Sequence, residues 1–342
     1  MPQVLGWIYF SMIPVIVRVQ QLDHSYLYQY VRFYTMRGSL FFLALIGIAT
    51  FGYLFNDFCD VESDAAAGKP NRLAVFKAPT RMILVGIAFL AGGGAWVALN
   101  LQSYILQLSM QLANLLFIGQ LLALITYSMK PFRVKGRAES GVIFDAFYGH
   151  LNPVLMTICV FGLSATEGLW GYSFEVLLIL VCSIKGVRNI LLHQVEDRKK
   201  DESAGLNTAV IKYGPWRIIN FINDILFPAE VLFLVCLTLV MSVRFPPCFI
   251  PLITFAIISY LKMSGWKLGY VDRRLLEFKF TYFMNDYYEE WLPAFMLIIL
   301  SVYAHQFVFL LILHLILFPK FIIKLVKDFK KIRENFKIEE DY

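Results

Sequence analysis

The chain has 342 residues, 58% of them hydrophobic and 16% charged, with a mean hydropathy of +0.63. Soluble domains are nearer half apolar and a quarter charged, so a soluble globular protein is excluded and an all-α polytopic membrane protein is indicated. The formal charge of +6 comes with no clustered basic and aromatic surface of the kind that binds nucleic acid, and in a membrane protein it bears on loop orientation instead.

About twenty apolar residues cross a bilayer. On that rule some nine spans are expected: Val4–Val17, short and broken by Pro14, then Gly38–Asn56, Met82–Leu99, Tyr104–Tyr127, Val142–Leu163, Phe174–His193, Ile218–Val243, Phe249–Trp266 and Trp291–Phe318. The last is long enough to be tilted or broken. The N-terminus lacks a basic region followed by an apolar stretch and a small-residue cleavage site, so no removable signal peptide is expected. Five cysteines without C-x-x-C spacing read as small buried apolar residues.

The connections alternate. Tight ones fall near Asn100, at Ser164–Ser173 and at Arg244–Pro247. Long charged loops, Asp57–Arg81, Ser128–Gly141, Val195–Arg217 and Lys267–Glu290, hold 17 of the 31 Lys and Arg. The positive-inside rule makes their face cytoplasmic. The tail conflicts with this: Lys320 to Lys337 holds seven Lys or Arg, and an odd final span would place it opposite. Its interleaved apolar residues suggest that the tail, 319–342, lies along the membrane surface.

Two acidic stretches end spans on the charged-loop face. The first is Asn56-Asp57-Phe58-Cys59-Asp60-Val61-Glu62-Ser63-Asp64. If the helix runs on, Asn56, Asp60 and Asp64 fall at i, i+4 and i+8 on one face. The second is Asp197-Arg198-Lys199-Lys200-Asp201, again i and i+4. Oxygen ligands with little adjacent positive charge suit a hard cation, and Mg2+ combines a few carboxylates with phosphate oxygens and water. Two facing clusters can hold two or three such ions around a diphosphate, neutralising it as a carbon–oxygen bond breaks.

These residues resemble the UbiA superfamily of intramembrane prenyltransferases, whose pattern is N-D-x-x-D-x-x-x-D after the second span and D-x-x-x-D after the sixth. Here they read Asn56-Asp57-x-x-Asp60-x-x-x-Asp64 and Asp197-x-x-x-Asp201. Tyr127-Ser128-Met129-Lys130-Pro131-Phe132-Arg133-Val134-Lys135 is also similar to the family. The resemblance covers roughly Arg37 to Phe318. It implies a single domain over 1–342: a helical barrel around a lateral, lipid-open cavity. It further implies that two or more Mg2+ ions, with Mn2+ as substitute, bind through Asn56, Asp57, Asp60, Asp64, Asp197 and Asp201. A prenyl diphosphate would be ionised there and attacked by a lipophilic or aromatic acceptor. Tyr127 and Lys130 match the family's Tyr and Lys after the fourth span.

Around this frame, Lys69, Arg72, Lys130, Arg133 and Lys135 are candidates for diphosphate oxygens, against ordinary positive-inside bias. Lys185, Arg188 and His193 lie within the sixth span. Arg188 and His193 are candidates for the diphosphate, the alternative being an ion pair with Glu196 or Asp145. In the fifth span Asp145 is a candidate to orient the acceptor or act as base, the alternative being a cap or pair; His150 reads as a packing residue. Tyr282–Glu290 is dense enough in aromatic and acidic groups for a lid, or is an interfacial helix. Two other functions fit the composition: a terpene cyclase on the same scaffold, which shares the ionisation step, and a membrane transporter, whose polar groups would sit nearer mid-membrane.

Overall fold

The computed structural model describes residues 2–22, 24–66, 68–102, 107–161, 169–264, 284–327 and 330. Most of the expected loop Lys267–Glu290 and the tail from Lys331 lie outside these residues. Among the described residues six helices are long and apolar enough to cross a membrane: Val31–Ala66, Ala78–Leu101, Ser109–Ser128, Ala138–Phe161, Gly171–Ser203 and Pro215–Val243. A bent pair, His305–Leu317 with Lys320–Lys327, makes seven. The expected first and eighth spans correspond to shorter apolar helices, Val4–Ile13 and Pro246–Leu261. The chain packs as two units, 32–234 and a second made of 1–31 with 235–342.

Within the 32–234 unit, small residues let helices touch. A Cβ on Gly47 would lie 2.4 Å from the Gly92 backbone, and one on Gly186 would lie 3.0 Å from Cα of Ala146. Helices bundled in lipid gain little from the hydrophobic effect, so close backbone approach of this kind is what holds them. Two amides inside the bundle hydrogen-bond across it: Asn152 Nδ2 donates to Gln120 Oε1 at 2.7 Å, and Gln120 Nε2 donates to the Tyr148 carbonyl at 2.8 Å. A π turn, Phe147–Leu151, interrupts the Ala138–Phe161 helix at this point.

The helix His24–Ala66 has 43 residues. At about 1.5 Å per residue it is near 64 Å long, twice the hydrocarbon thickness of roughly 30 Å. The acidic stretch is therefore helical and projects past the apolar part, and Asn56, Asp60 and Asp64 do share a face. Asp197 and Asp201 likewise end the Leu169–Ser203 helix.

In the second unit the expected ninth span is two helices. Leu292–Tyr303 ends at extended Ala304, and Val308–Leu317 packs back against it. The chain then bends by 71° into Lys320–Lys327. Lys324 Nζ meets Asp286 Oδ1 at 2.6 Å, and Lys320 Nζ meets Glu290 Oε1 at 3.1 Å. Lys320 and Lys324 thus lie at the level where the 284–303 segment begins. Tyr287, Tyr288, Glu290 and Trp291 are buried, so 284–290 is the root of a packed helix and not a lid; Tyr282 and Phe283 lie outside the described residues.

Candidate active site

Both acidic helices end in the same way. Gly68, at φ 64°, follows Asp64 by four residues; its N–H donates to the Ala65 carbonyl at 3.3 Å and that of Lys69 to the Asp64 carbonyl at 2.8 Å. Gly205, at φ 65°, follows Asp201 by four; its N–H donates to Glu202 at 3.1 Å and that of Leu206 to Asp201 at 3.0 Å. These are paired Schellman caps, for which glycine supplies the left-handed residue without a Cβ penalty. They leave Asp60, Asp64, Asp197 and Asp201 in the last turns, where the helix dipole is negative. A carboxylate there is disfavoured by about 0.3–1 kcal/mol unless a cation answers it.

Lysine and arginine side chains answer the first helix. Lys135 Nζ bridges Asn56 Oδ1, at 3.0 Å, and the Asp60 carboxylate. Arg133 Nη2 takes the other Asp60 oxygen at 3.1 Å and also reaches Ser63 Oγ at 3.1 Å. Arg133 has φ 33°, a left-handed conformation unusual for a side-chain-bearing residue, and it turns the 129–137 loop back over the acidic face. Burial lowers the pKa of the Lys135 ammonium from the ordinary lysine value, with Asp60 pulling the other way. Ser128 Oγ donates to Asn56 at 3.2 Å.

The loop after the first stretch folds back onto it. Asn71 Nδ2 donates to the Asp57 carbonyl and to Asp64 Oδ2, each at 2.8 Å, while buried Leu73 pins the turn. The Arg72 backbone N–H donates to the Asp57 carboxylate. Lys69 then spans to the second helix: its backbone sits on Asp64 and its Nζ lies 3.6 Å from Asp201 Oδ1. Asp197 is paired with Lys200 at 2.6 Å on the open side. Two short bridges, Arg137 to Asn207 and Ala138 to Thr208, tie the 129–137 loop to the 204–214 loop, reinforced where Lys212 and Tyr213 both meet Glu139.

Just inside this rim, Tyr148 Oη donates to Asp145 Oδ2 at 2.7 Å, and Tyr127 also hydrogen-bonds Asp145. The two tyrosine rings meet edge to face at 5.1 Å. Asp201 lies within electrostatic reach of Tyr127, and His193 within reach of Asp145.

Most of the residues singled out from sequence therefore converge. Lys130 and Arg72 are exposed on the rim. His193 is exposed and 3.8 Å from Glu196. Arg188 is the exception. Its side chain is fully buried and paired with Glu230, Nε to Oε2 at 2.5 Å and Nη2 to Oε1 at 3.1 Å, so it faces neither the rim nor the partners Glu196 and Asp145. Sequence reading missed Glu230, Asn71 and Tyr148. A glutamate inside an apolar run was the available signal for Glu230.

Among the described residues no three His, Cys, Asp or Glu side chains come close enough to hold a metal by themselves. The donor set nonetheless fits a hard cation. It is all oxygen, and the Lys135 ammonium already stands between Asn56 and Asp60 as a monovalent stand-in. Asn56, Asp60 and Asp64 would hold such an ion, with phosphate and water oxygens completing its ligands.

Comparison with known proteins identifies the family. Two solved structures of a UbiA homologue from Archaeoglobus fulgidus resemble the chain. The one bound to DMAPP and Mg2+ has 16% identity and a TM-score of 0.49, covering 88% of this chain and 96% of that one. The one bound to GPP and Mg2+ has 14% identity and a TM-score of 0.50, covering 86% and 98%; at such identity the likeness is one of fold. No curated protein matches the sequence. The profile of the UbiA prenyltransferase family matches residues 27–287, most of the chain. This multi-pass integral membrane protein belongs to the UbiA prenyltransferase family.

Proposed function

We propose that the protein is a Mg2+-dependent intramembrane prenyltransferase that ionises a prenyl diphosphate and passes the isoprenoid chain to an aromatic acceptor. The observation that carries this reading is Lys69, whose backbone sits on Asp64 and whose ammonium reaches Asp201, holding the ends of the two acidic helices together. The archaeal homologue of like fold bound to GPP and Mg2+ supports the same donor class. In this reading Asn56, Asp57, Asp60, Asp64, Asp197 and Asp201 hold two or more Mg2+ ions, for which Mn2+ substitutes. Bound there, the ions supply charge neutralisation of the leaving diphosphate.

The chain's own residues do the rest. Arg133 and Lys135 exchange Asp60 for diphosphate oxygens, and Lys69, Arg72, Lys130 and His193 line the approach. The C–O electron pair leaves with the diphosphate. A ring carbon of the acceptor forms the new C–C bond to the allylic carbon, and the proton on that ring carbon passes to Asp145. Tyr127 and Tyr148 orient that carboxylate. Arg188 has a structural part only. The whole chain acts as one domain in the bilayer, with the acidic rim on the cytoplasmic face as the loop charges indicate.

The test is product analysis by mass spectrometry with a panel of prenyl diphosphates, with and without aromatic acids. Prenylated aromatics that require Mg2+ and disappear on chelation are expected. A cyclic hydrocarbon or alcohol made without acceptor would replace transfer by cyclisation.

A further inference from the structure

The C-terminal helix Lys320–Lys327 takes no part in the acidic site, and its two faces differ. Lys320, Lys324 and Lys327 fall at i, i+4 and i+7, one narrow stripe. Lys320 and Lys324 grip the carboxylate of Glu290, and Lys324 also grips Asp286. Phe321 packs edge to face on Trp291 at 5.4 Å. The far side exposes Ile322 and Val326, at 42% and 61%, and Ile323, at 48%, flanks the stripe. The helix leaves the apolar 305–317 segment at 71°, so if that segment stands across the bilayer this one lies close to its plane. Lys327 and Lys330 are exposed, and Lys331, Arg333 and Lys337 follow in the sequence. From Lys320 to Lys337 there are seven Lys or Arg against two Asp or Glu.

We propose that this segment is an interfacial anchor that binds anionic phospholipid head groups, its apolar face in the acyl boundary and its basic run against the lipid phosphates. A basic run directly after membrane helices, joined to an exposed apolar face, matches an anionic leaflet; a nucleic acid or an acidic protein would leave Ile322, Ile323 and Val326 uncovered. The Glu290 and Asp286 contacts set the depth. They hold the first two lysines at the level where the 284–303 segment begins, and Lys327 and Lys330 stay exposed for lipid. The sequence assigns that level to the cytoplasmic face, which carries the negative surface potential.

The experiment uses the full-length protein in nanodiscs of phosphatidylcholine with or without phosphatidylglycerol. Native mass spectrometry reads the lipids retained, and hydrogen exchange reads residues 320–330. The wild type is expected to retain phosphatidylglycerol over phosphatidylcholine and to protect 320–330 more in the anionic discs. The triple substitution Lys327→Gln, Lys330→Gln, Lys331→Gln should lower that preference by roughly tenfold or more, the removed lysines each contributing on the order of 1 kcal/mol at a charged surface. Val326→Asp, which keeps every lysine, should reduce protection in both kinds of disc. Equal retention of the two lipids by the wild type would overturn the proposal. So would a preference unchanged by the triple substitution, or salt-dependent capture of a heparin or DNA probe with no lipid preference.

Discussion

Replacing Arg188 by Met separates a structural role from a diphosphate-binding one. The guanidinium is wholly enclosed and makes two hydrogen bonds to Glu230, whose side chain is equally enclosed. Removing Arg188 leaves the Glu230 carboxylate buried without its guanidinium. Breaking such a buried pair typically costs about 3–5 kcal/mol, whereas replacing both partners by apolar groups of similar volume is near neutral or stabilising. Arg188→Met and Glu230→Met should therefore each destabilise the protein by about that amount, and Arg188→Met/Glu230→Met should recover most of it. The assay is a denaturation curve in detergent for the four proteins, run beside Mg2+-dependent pyrophosphate release. On a structural role the double variant recovers turnover together with stability. A double variant that is stable yet as inactive as Arg188→Met would refute the reasoning and return Arg188 to the diphosphate.

Two further outcomes follow from local geometry. Gly47→Ala places a methyl 2.4 Å from the Gly92 backbone, which cannot rotate away, so a loss of about 3 kcal/mol or more is expected in the same denaturation assay; a neutral result would mean the two helices are not in contact there. Tyr148→Phe removes the 2.7 Å hydrogen bond to Asp145 without touching the acidic rim. Pyrophosphate release should persist while transfer to the acceptor falls, by about tenfold for one lost charge-assisted bond, and equal loss of both would place Tyr148 with the metal residues instead.

How much of this was legible depends on range. The i, i+4, i+8 spacing of Asn56, Asp60 and Asp64 is local, and the helix carries it as expected. The caps were legible too: Asp64 and Asp201 are each followed four residues later by a glycine, and that repeat marks both helix ends. Partners were harder. From sequence Arg188 reads as a diphosphate contact or a partner of Glu196 or Asp145, whereas Glu230 lies 42 residues on and meets it through helix packing. Asn71 sits in a loop whose fold-back depends on buried Leu73. The excess length of the ninth span signals a break, and the structure places it at Ala304; hydropathy alone does not fix that position, because the helices on both sides of it are apolar.

The most direct measurement is pyrophosphate release from a prenyl diphosphate by the wild type, Asp60→Asn and Asp201→Asn, each with Mg2+ and after chelation. Asparagine keeps size and hydrogen bonding while removing the charge a metal needs, so folding should survive. Release by the wild type should require Mg2+, and each substitution should lower it by about 100-fold or more, some 2.7 kcal/mol of transition-state stabilisation. Near-normal release in Asp201→Asn would contradict the central claim that the two acidic helices act as one site.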